Sequence, residues 1–511
     1  MIFRITQQLH NKTHQCIITK YLLCVSYFRI IRLCLSLWAR SPKAYDTLKD
    51  SGFLILPSTR LLQMYKNSIP QTSGFQDAQF RWLHLEAQRL NVPSHGRRGG
   101  IIFDEMSIQE DLQMNRENDV HTSVGFVSIS NESDYMQKLI HEKKEIKLAD
   151  HALQMIFLGD TGFKFPIAHF STINAATAPE LYTVFWRAVS HLYCWDFIVD
   201  YACFDGAANN RSFLEMHFDG KSAKERQYRA KDPYDGNHEV VFIMDSKHSV
   251  KKIRNNLLKS KSTAGKGGKL LLHNGHPILW DHFVKAYEWD LQVNSMRIHH
   301  RLTQEHIYPD QAAKMRNKLA AEVLNDDMLH LMQAYSKVVP TDLRGTIALL
   351  EQTSKFISII HDLRPIKDRG DERLATLRSV WDWFEKWVTN TNDQKHLFSH
   401  QTRDDLSSSI LGFISYVDNK LLRFPSTYVV PARLNSDLVE NFFSSQRAMC
   451  NGANANPTYL QYCKAVNTII INQGAQSKKC NVQSCSKAGY SALPYKMHVK
   501  QPFRAKRPRL L

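Results

Sequence analysis

The sequence predicts an α/β fold in which a mixed sheet is split by a large helical insertion. Three observations support this prediction. Apolar runs with a period of two recur between Gly99 and Asp245, and helical patterns alternate with the later ones. From Ser246 to about Thr389 the pattern is helical, with no further strand of comparable strength. The chain then leads into a two-faced helix near Asp437, which indicates that the helical stretch interrupts the sheet domain.

Length and charge narrow the class of protein. The 511 residues correspond to roughly three domains and allow sizeable cores. Lys and Arg number 66 against 49 Asp and Glu, which gives a net charge of +17 with His neutral. Such an excess is the electrostatic signature of a nucleic-acid binder, although basic proteins with other partners exist.

Cysteine usage and hydropathy point to a cytosolic or nuclear protein with reduced thiols. The only close cysteine pair, Cys480 and Cys485, lacks the spacing of a zinc finger or a redox motif. The apolar stretch 15–39 is broken by basic residues, so its uncharged runs fall short of the roughly 18 residues a membrane span needs. We expect a buried or frayed helix there. The basic run 505–509 fits a nuclear address or a solvated tail.

The region before the sheet is predicted to be helical. Short basic amphipathic segments span 40–98; Pro57 ends one of them, and Ser58 can cap the next. Two or three such helices fit a helix-turn-helix unit and fit a plain helical lead-in domain equally well. Residues 1–39 form an N-terminal segment without a clear assignment, and 476–511 read as a basic, poorly ordered tail.

Two of the predicted strands end at an acidic residue. The first is the stretch from Gly99 to Met106, which follows a Gly-rich break; its apolar run closes on Asp104. A later one begins at Phe197 and ends at Asp205 before a turn of small residues. Further predicted elements are strands at 124–129, 152–158, 164–170 and 240–245, and helices from Pro179 to Leu192 and from Asn209.

The predicted insertion contains an aromatic stripe that we assign to a core. Trp381, Phe384 and Trp387 recur at three-residue steps within a helix over 374–388, and aromatic residues at helical spacing usually pack. The loop 265–269 lacks the spacing of a Walker phosphate loop and has no Ser or Thr after Lys266.

The helix that follows the insertion has two chemically different faces. Asn435 or Ser436 is a natural N-cap, so Asp437 and Glu440 fall in the first turns, where the helix dipole favours negative charge. At about 100° per residue the sequence sorts into a polar side and an apolar side. The polar side carries Asp437, Glu440, Ser444 and Arg447; the apolar side carries Leu438, Val439, Phe442 and Met449.

Three carboxylates, Asp104, Asp205 and Glu440, suit a site for two Mg²⁺ or Mn²⁺ ions, which prefer oxygen ligands. In such sites the metals assist an in-line displacement at phosphorus. Taken singly, each acid also fits an ordinary turn or capping residue. The prediction therefore depends on their occurring together.

Ordered motifs from about Cys34 to about Gln473 resemble those of the P element transposases and their THAP-type relatives. The blocks that carry the resemblance are 52–60 (GFLILPSTR), 103–108 (FDEMSI), 204–211 (FDGAANNR), Asp245 with His248, Lys251, Arg254, Asn255 and Asn256, then Lys314-Met315 with 318–320, and 437–443 (DLVENFF). Each block alone is a weak signal, whereas the ordered series is quite specific.

The resemblance implies an RNase H-like catalytic domain of DDE type, split by a GTP-binding insertion before its last acid. It implies that Asp104, Asp205 and Glu440 are the catalytic metal ligands. It further implies cleavage of DNA at transposon ends, joining to a target, GTP as a cofactor that is not hydrolysed, a homo-oligomer and a nuclear location. No membrane association is expected.

For the nucleotide, the resemblance places Asp245 and Lys251 at contact positions and puts Asp437 on the nucleotide side. The implied domains are 40–98, 99–245 (RNase H-like, first part), 246–365 (GTP-binding insertion) and 366–475 (remainder of the insertion and RNase H-like C-terminal part).

The sequence departs from the family pattern in two places. No Cys and His pattern of a THAP finger appears near Cys16, Cys24 or Cys34, and Ala312-Ala313 stands where bulkier or polar nucleotide contacts are expected. A domesticated, non-catalytic DNA- or protein-binding regulator is therefore an alternative to an active transposase. An RNase H-type nuclease acting on RNA fits the acids but not the insertion.

Overall fold

A computed structural model of the chain describes residues 30–39, 41–117, 120–129, 147–218, 220, 223–261, 269–293, 296–450 and 456–473. Predictions for residues 1–29, for the loop 265–268 and for the tail 476–511 lie outside the described residues. In the part that is described, no helix is both long enough and apolar enough to span a membrane.

The N-terminal region is helical, as predicted. Residues 30–39 are helical, and three helices follow: α1 (Pro42–Asp50), α2 (Thr59–Lys66) and α3 (Asp77–Arg89). Ser58 caps α2, because its hydroxyl accepts the backbone N–H of Leu61 at 3.2 Å. A small apolar cluster that includes Trp38, Tyr45 and Leu62 holds the first helices together, and α3 packs on the main sheet.

The central element is a mixed six-stranded sheet. The strands of the described residues are β1 (Arg98–Ser107), β2 (Gln113–Glu117), β3 (Val120–Val124), β4 (His151–Gly159), β5 (Lys164–Thr172), β6 (Ile198–Phe204), β7 (Arg229–Lys231), β8 (Glu239–Met244), β9 (Leu271–His273) and β10 (His276–Ile278). The order in the sheet is β5-β4-β1-β6-β8-β7. Strands β1, β6 and β8 are parallel to one another, whereas β4, β5 and β7 pair antiparallel with their neighbours. Two small hairpins, β2-β3 and β9-β10, lie outside it.

Two sequence predictions about strands need correction, and several short strands were not predicted. Asp104 does not end its strand, because β1 continues to Ser107 by pairing with β4 beyond the last residues that pair with β6. The strand predicted over 124–129 is instead the end of β3 followed by isolated bridges. The polar strands β2 and β3 and the three-residue strand β7 were not predicted, because they lack an apolar alternation.

Helices cover the sheet and form the long insertion. In the sheet region these are α4 (Ala178–Cys194), α5 (Ala208–Glu215) and α6 (Ala223–Arg226). The insertion and return segment contain α7 (Ser246–Leu257), α8 (Trp280–Val293), α9 (Gln304–Ile307), α10 (Gln311–Met315), α11 (Asn317–Leu324), α12 (Asp326–Ser336), α13 (Arg344–Ile360), α14 (Glu372–Thr389), α15 (His400–Ser407), a π-helix (Ser408–Gly412), α16 (Phe413–Arg423), α17 (Asp437–Cys450) and α18 (Tyr459–Gln473). Short 3-10 helices are Ser94–Arg97, Gln394–His396 and Pro431–Arg433.

The two faces of the sheet are covered by different helices. Phe103 on β1 contacts Phe185 of α4 and Phe213 of α5, with ring centroids 6.5 and 5.8 Å apart. Successive residues of a strand point to opposite faces, so Asp104 is directed to the other face, where α17 packs on β1 and β4. The aromatic stripe of α14 is buried, as predicted.

The π-helix completes the outer edge of β8. Strand β7 pairs with β8 only as far as Val241. Beyond that point the Ser408 hydroxyl accepts the Met244 N–H at 3.2 Å, and the Ser409 hydroxyl donates to the Met244 carbonyl at 2.9 Å. Side chains of the segment returning from the insertion therefore supply the hydrogen bonds that a neighbouring strand would otherwise make.

An ionic network closes the sheet end at which β6 and β8 begin. Arg98 donates from Nε and Nη2 to the two carboxylate oxygens of Asp200 and lies over the Phe424 ring at 4.7 Å. His238 bridges Asp200 at 3.0 Å and Asp232 at 3.1 Å. Burial alone would lower the pKa of His238, but the two carboxylates outweigh it and raise that pKa to about 9.

This network predicts a pH-dependent contribution to stability. The folded pKa of His238 lies above the ordinary histidine value, so the contribution is full below about pH 6.5 and is lost as the pH rises through 9. With solvent screening allowed for, we expect about 2 kcal/mol. Urea unfolding at several pH values should show a flatter decline between pH 6.5 and 9 in His238→Gln than in the parent protein. His330→Gln, at an exposed position, is the control; equal declines in all three proteins would refute the assignment.

Candidate functional site

The parallel register brings acidic residues to one edge of the sheet. Ile102 pairs with Cys203, and Phe204 pairs with Met244. Continuing both ladders by a residue or two puts Asp104 beside Asp205 and Asp205 beside Asp245. Carboxyl ends of parallel strands are where open α/β sheets bind ligands. Two of the three predicted metal ligands therefore lie next to each other on neighbouring strands.

Asp205 is held by the turn that follows its strand. Its Oδ1 accepts the Ala207 N–H at 3.0 Å and the Asn210 side-chain amide at 2.7 Å. The same amide donates to the Asp205 carbonyl at 3.2 Å. The other carboxylate oxygen, Oδ2, lies 3.9 Å from His248 Nδ1. One oxygen is thus fixed by the protein, and the second faces the acidic cluster.

Asp104 lies in a crowded electrostatic environment. Its Oδ1 accepts the N–H of Glu105 at 2.8 Å. Burial, followed by the negative charge of Asp205, raises the pKa of Asp104 to about 7; Glu440 acts in the same direction and His248 opposes it. A carboxylate among like charges is more stable when a cation is present, so the charge distribution favours cation binding.

Glu440 reaches the same cluster from helix α17. Its Oε1 lies 3.0 Å from Nε2 of His248, and its side chain is 42% exposed. Burial tends to lower the pKa of His248, but the hydrogen bond to Glu440 and the charges of Asp245 and Asp205 raise it. His248 therefore bridges two of the predicted acids. In the sequence, His248 stands out only as a member of the motif block that begins at Asp245. Its position three residues after Asp245 is the signal from which its place in the site could have been predicted.

Asp245 ties two helices together. It is the N-cap of α7, with its Oδ1 accepting the Lys247 N–H at 2.7 Å. Its Oδ2 accepts both the backbone N–H of Ser436, at 2.9 Å, and the Ser436 hydroxyl. Burial would raise the pKa of Asp245, yet nearby His248 and the Ser436 hydrogen bonds lower it. The carboxylate is buried and fully bonded within the protein, so it anchors the start of α17.

The other two predicted nucleotide contacts lie close to this anchor. Asp437 forms an ion pair with Lys247, and burial raises the pKa of Asp437 despite that pairing. Lys251 is partly buried and makes no hydrogen bond or ion pair with the described residues. Burial lowers the pKa of Lys251, whereas Glu440, Asp245 and Asp205 act to raise it. Lys251 is thus a desolvated cation beside the acidic cluster.

Helix α17 has the two predicted faces, with one exception. Leu438, Val439 and Phe442 are buried. Met449, predicted on the apolar side, is 39% exposed, because the buried side of the helix turns toward Phe443 and Gln446. The side-chain amide of Gln446 donates to the Tyr462 carbonyl of α18 at 3.3 Å. The helix is therefore fixed by α18 as well as by the sheet.

The donor chemistry of the cluster fits a divalent cation. All three predicted ligands are carboxylates, which divalent cations such as Mg²⁺ prefer. Burial, together with the negative charges of Asp205 and Glu440, raises the pKa of Asp104. Within the described ranges, however, no three His, Cys, Asp or Glu side chains are close enough to hold a metal ion as they stand. Glu440 is hydrogen-bonded to His248, and metal binding by Glu440 would have to replace that bond.

Comparisons with known proteins bear on the fold that carries this site. Residues 71–217, which include Asp104 and Asp205, match the family model described as TNP-like, RNase H N-terminal domain. No curated protein matches the chain significantly. Among solved structures, the chain is similar to the Drosophila P element transposase strand transfer complex, with a TM-score of 0.68 and 18% identity over 87% of this chain and 92% of that chain.

These findings define the fold. The protein has a mixed α/β fold that matches the transposase RNase H-like fold, as the sequence predicted. The resemblance to the P element transposases that was drawn from the motifs is likewise confirmed. The matched domain ends before Glu440, so the role of that residue depends on the geometry described above.

Proposed function

We propose that the chain is a P element-like DNA transposase that uses a divalent metal to cut DNA and transfer the cut strand. The observation that carries this proposal is the register of β1, β6 and β8, which aligns Asp104 with Asp205 while α17 brings in Glu440. The transposase-type RNase H-like fold and the TNP-like domain support it.

In this proposal Asp104, Asp205 and Glu440 hold Mg²⁺ or Mn²⁺. The chemistry that such ions supply is activation of a water or a 3′-hydroxyl and stabilisation of the leaving oxygen. The protein's own contribution is placement. Asn210 fixes one oxygen of Asp205, and Asp245 anchors the helix that carries Glu440. Glu440 is hydrogen-bonded to His248, a bond that metal binding by Glu440 would replace.

DNA is the proposed partner. The net charge of +17 favours a polyanion, and the similar Drosophila structure is titled a strand transfer complex. The proposed substrates are transposon ends and target DNA. The proposal also includes a nuclear location and a homo-oligomer that brings two transposon ends together.

GTP is the proposed cofactor, bound without hydrolysis near Asp245, Lys251 and Asp437. The support lies mainly in Lys251, whose partly buried ammonium has no partner among the described residues and is suited to a phosphate. Asp437 offers a carboxylate to a base or ribose, one turn before Glu440. Asp245 would contribute through its hold on Ser436, because its carboxylate oxygens are already engaged.

A second function is favoured by one observation. Glu440 is hydrogen-bonded to His248, and the acids are not arranged as a ready metal site in the described residues. A domesticated, catalytically inactive regulator that binds DNA or protein would retain the fold in such a state.

Nicking of supercoiled plasmid in the presence of Mn²⁺ separates the two functions. Asp104→Asn and Glu440→Gln should each reduce nicking by about a hundredfold or more, since each removes a charged oxygen ligand with little change of shape. Asp382→Asn, at an exposed position on α14, should leave nicking unchanged. An inactive parent protein favours the regulator, and full activity in both site variants would refute the metal-site assignment.

Calorimetric titration with GTP tests the nucleotide site. Lys251→Ala should weaken binding about tenfold or more, because a desolvated charge-assisted contact to phosphate is worth roughly 1.5–3 kcal/mol. Lys355→Ala, on the exposed side of α13, serves as the matched control. Equal affinity of the parent and Lys251→Ala would rule out this position, and absence of binding to the parent would rule out GTP.

A further inference from the structure

The turn after Asp205 is held by three charged side chains, Arg211, Lys252 and Asp405, which together form a clamp. The carbonyl oxygen of Gly206 accepts hydrogen bonds from Arg211 and from Lys252. Asp405 pairs with both cations: its Oδ2 contacts Lys252 Nζ and lies 3.2 Å from Arg211 Nη1. Two positive charges and one negative charge therefore converge on the residue next to a proposed metal ligand.

The contact between this cluster and the turn is close. The Asp405 side chain is only 2% exposed. A Cβ atom on Gly206 would lie 2.3 Å from both Asp405 Oδ2 and Lys252 Nζ, so a larger residue at 206 would displace the ends of these two side chains. The ion pair therefore lies directly against the Cα of Gly206. Any movement of Asp405 would be transmitted to the turn.

Asp405 belongs to the part of the chain that returns from the insertion. It lies on α15, which continues into the π-helix that covers the edge of β8. Thr402 on the same helix accepts the Asn256 side-chain amide of α7 at 2.9 Å. Helix α15 is therefore fixed both to α7 and to β8, and Asp405 is its link to the Asp205 turn.

We propose that Asp405 is a positioning residue for Asp205, coupling the seating of the insertion to the geometry of the acidic site. Without its carboxylate, Arg211 and Lys252 remain side by side at one carbonyl oxygen, and their repulsion displaces Gly206. Asp205 then loses its alignment with Asp104. This inference rests on the proposed metal-dependent function.

The test measures plasmid nicking against Mn²⁺ concentration and, by calorimetry, the direct binding of Mn²⁺. Asp405→Asn should raise both the half-activating Mn²⁺ concentration and the dissociation constant for Mn²⁺ about tenfold, as the loss of residues that orient metal ligands commonly does. Asp404→Asn is the matched control, because its side chain is 43% exposed and pairs with His400 instead of the clamp; it should leave the curve unchanged. Lys252→Gln removes one of the two cations that bind the Gly206 carbonyl oxygen, so it should shift the curve in the same direction. It carries the test if Asp405→Asn does not fold.

Each outcome has a defined meaning. A lower maximal rate with an unchanged half-activating Mn²⁺ concentration in both clamp variants would overturn the positioning role and leave a merely structural one. Asp205→Asn is included to keep the two proposals apart. If it abolishes nicking while both clamp variants behave like the parent, only the positioning role fails. If Asp205→Asn nicks like the parent, the metal-dependent function fails and the positioning role fails with it.

Discussion

The hydrogen bonds between the Asp245 carboxylate and Ser436 determine the position of Glu440, the last of the three acidic residues. These residues are 191 positions apart, yet the carboxylate caps α7 and accepts two hydrogen bonds from the start of α17. A buried charge is stable only when it is fully bonded in this way. Because Glu440 follows Ser436 by one turn, this anchor places it over the sheet edge that holds Asp104 and Asp205.

The same anchor explains how a long helical insertion is compatible with one acidic site. The insertion leaves the sheet at the end of β8 and returns beside that strand, through the serines of the π-helix. π-helices are rare in proteins, and those that occur often lie at functional sites. Asp405 adds a second connection, from α15 to the turn after Asp205. The site is therefore built by contacts at both ends of the insertion and does not depend on loop sequences alone.

Much of this arrangement could be predicted from the sequence, and the limits have physical causes. Long apolar runs gave β1, β4, β5, β6 and β8, since buried strands leave a strong local pattern. Strands β2, β3 and β7 are short and polar, so no such pattern exists. The bond of His248 to Glu440 and the Asp405 clamp join residues more than 150 positions apart, and nothing local in the sequence encodes these pairings.

We propose that Asp104, Asp205 and Glu440 form one metal site on this sheet edge, and diffraction at the manganese absorption edge from crystals grown with Mn²⁺ can locate the ion. We expect an anomalous peak between the Asp104 and Asp205 carboxylates, with Glu440 released from His248 and turned toward the metal. A metal site would be refuted by an anomalous peak elsewhere, or by Glu440 still bonded to His248 with no metal at the two aspartates.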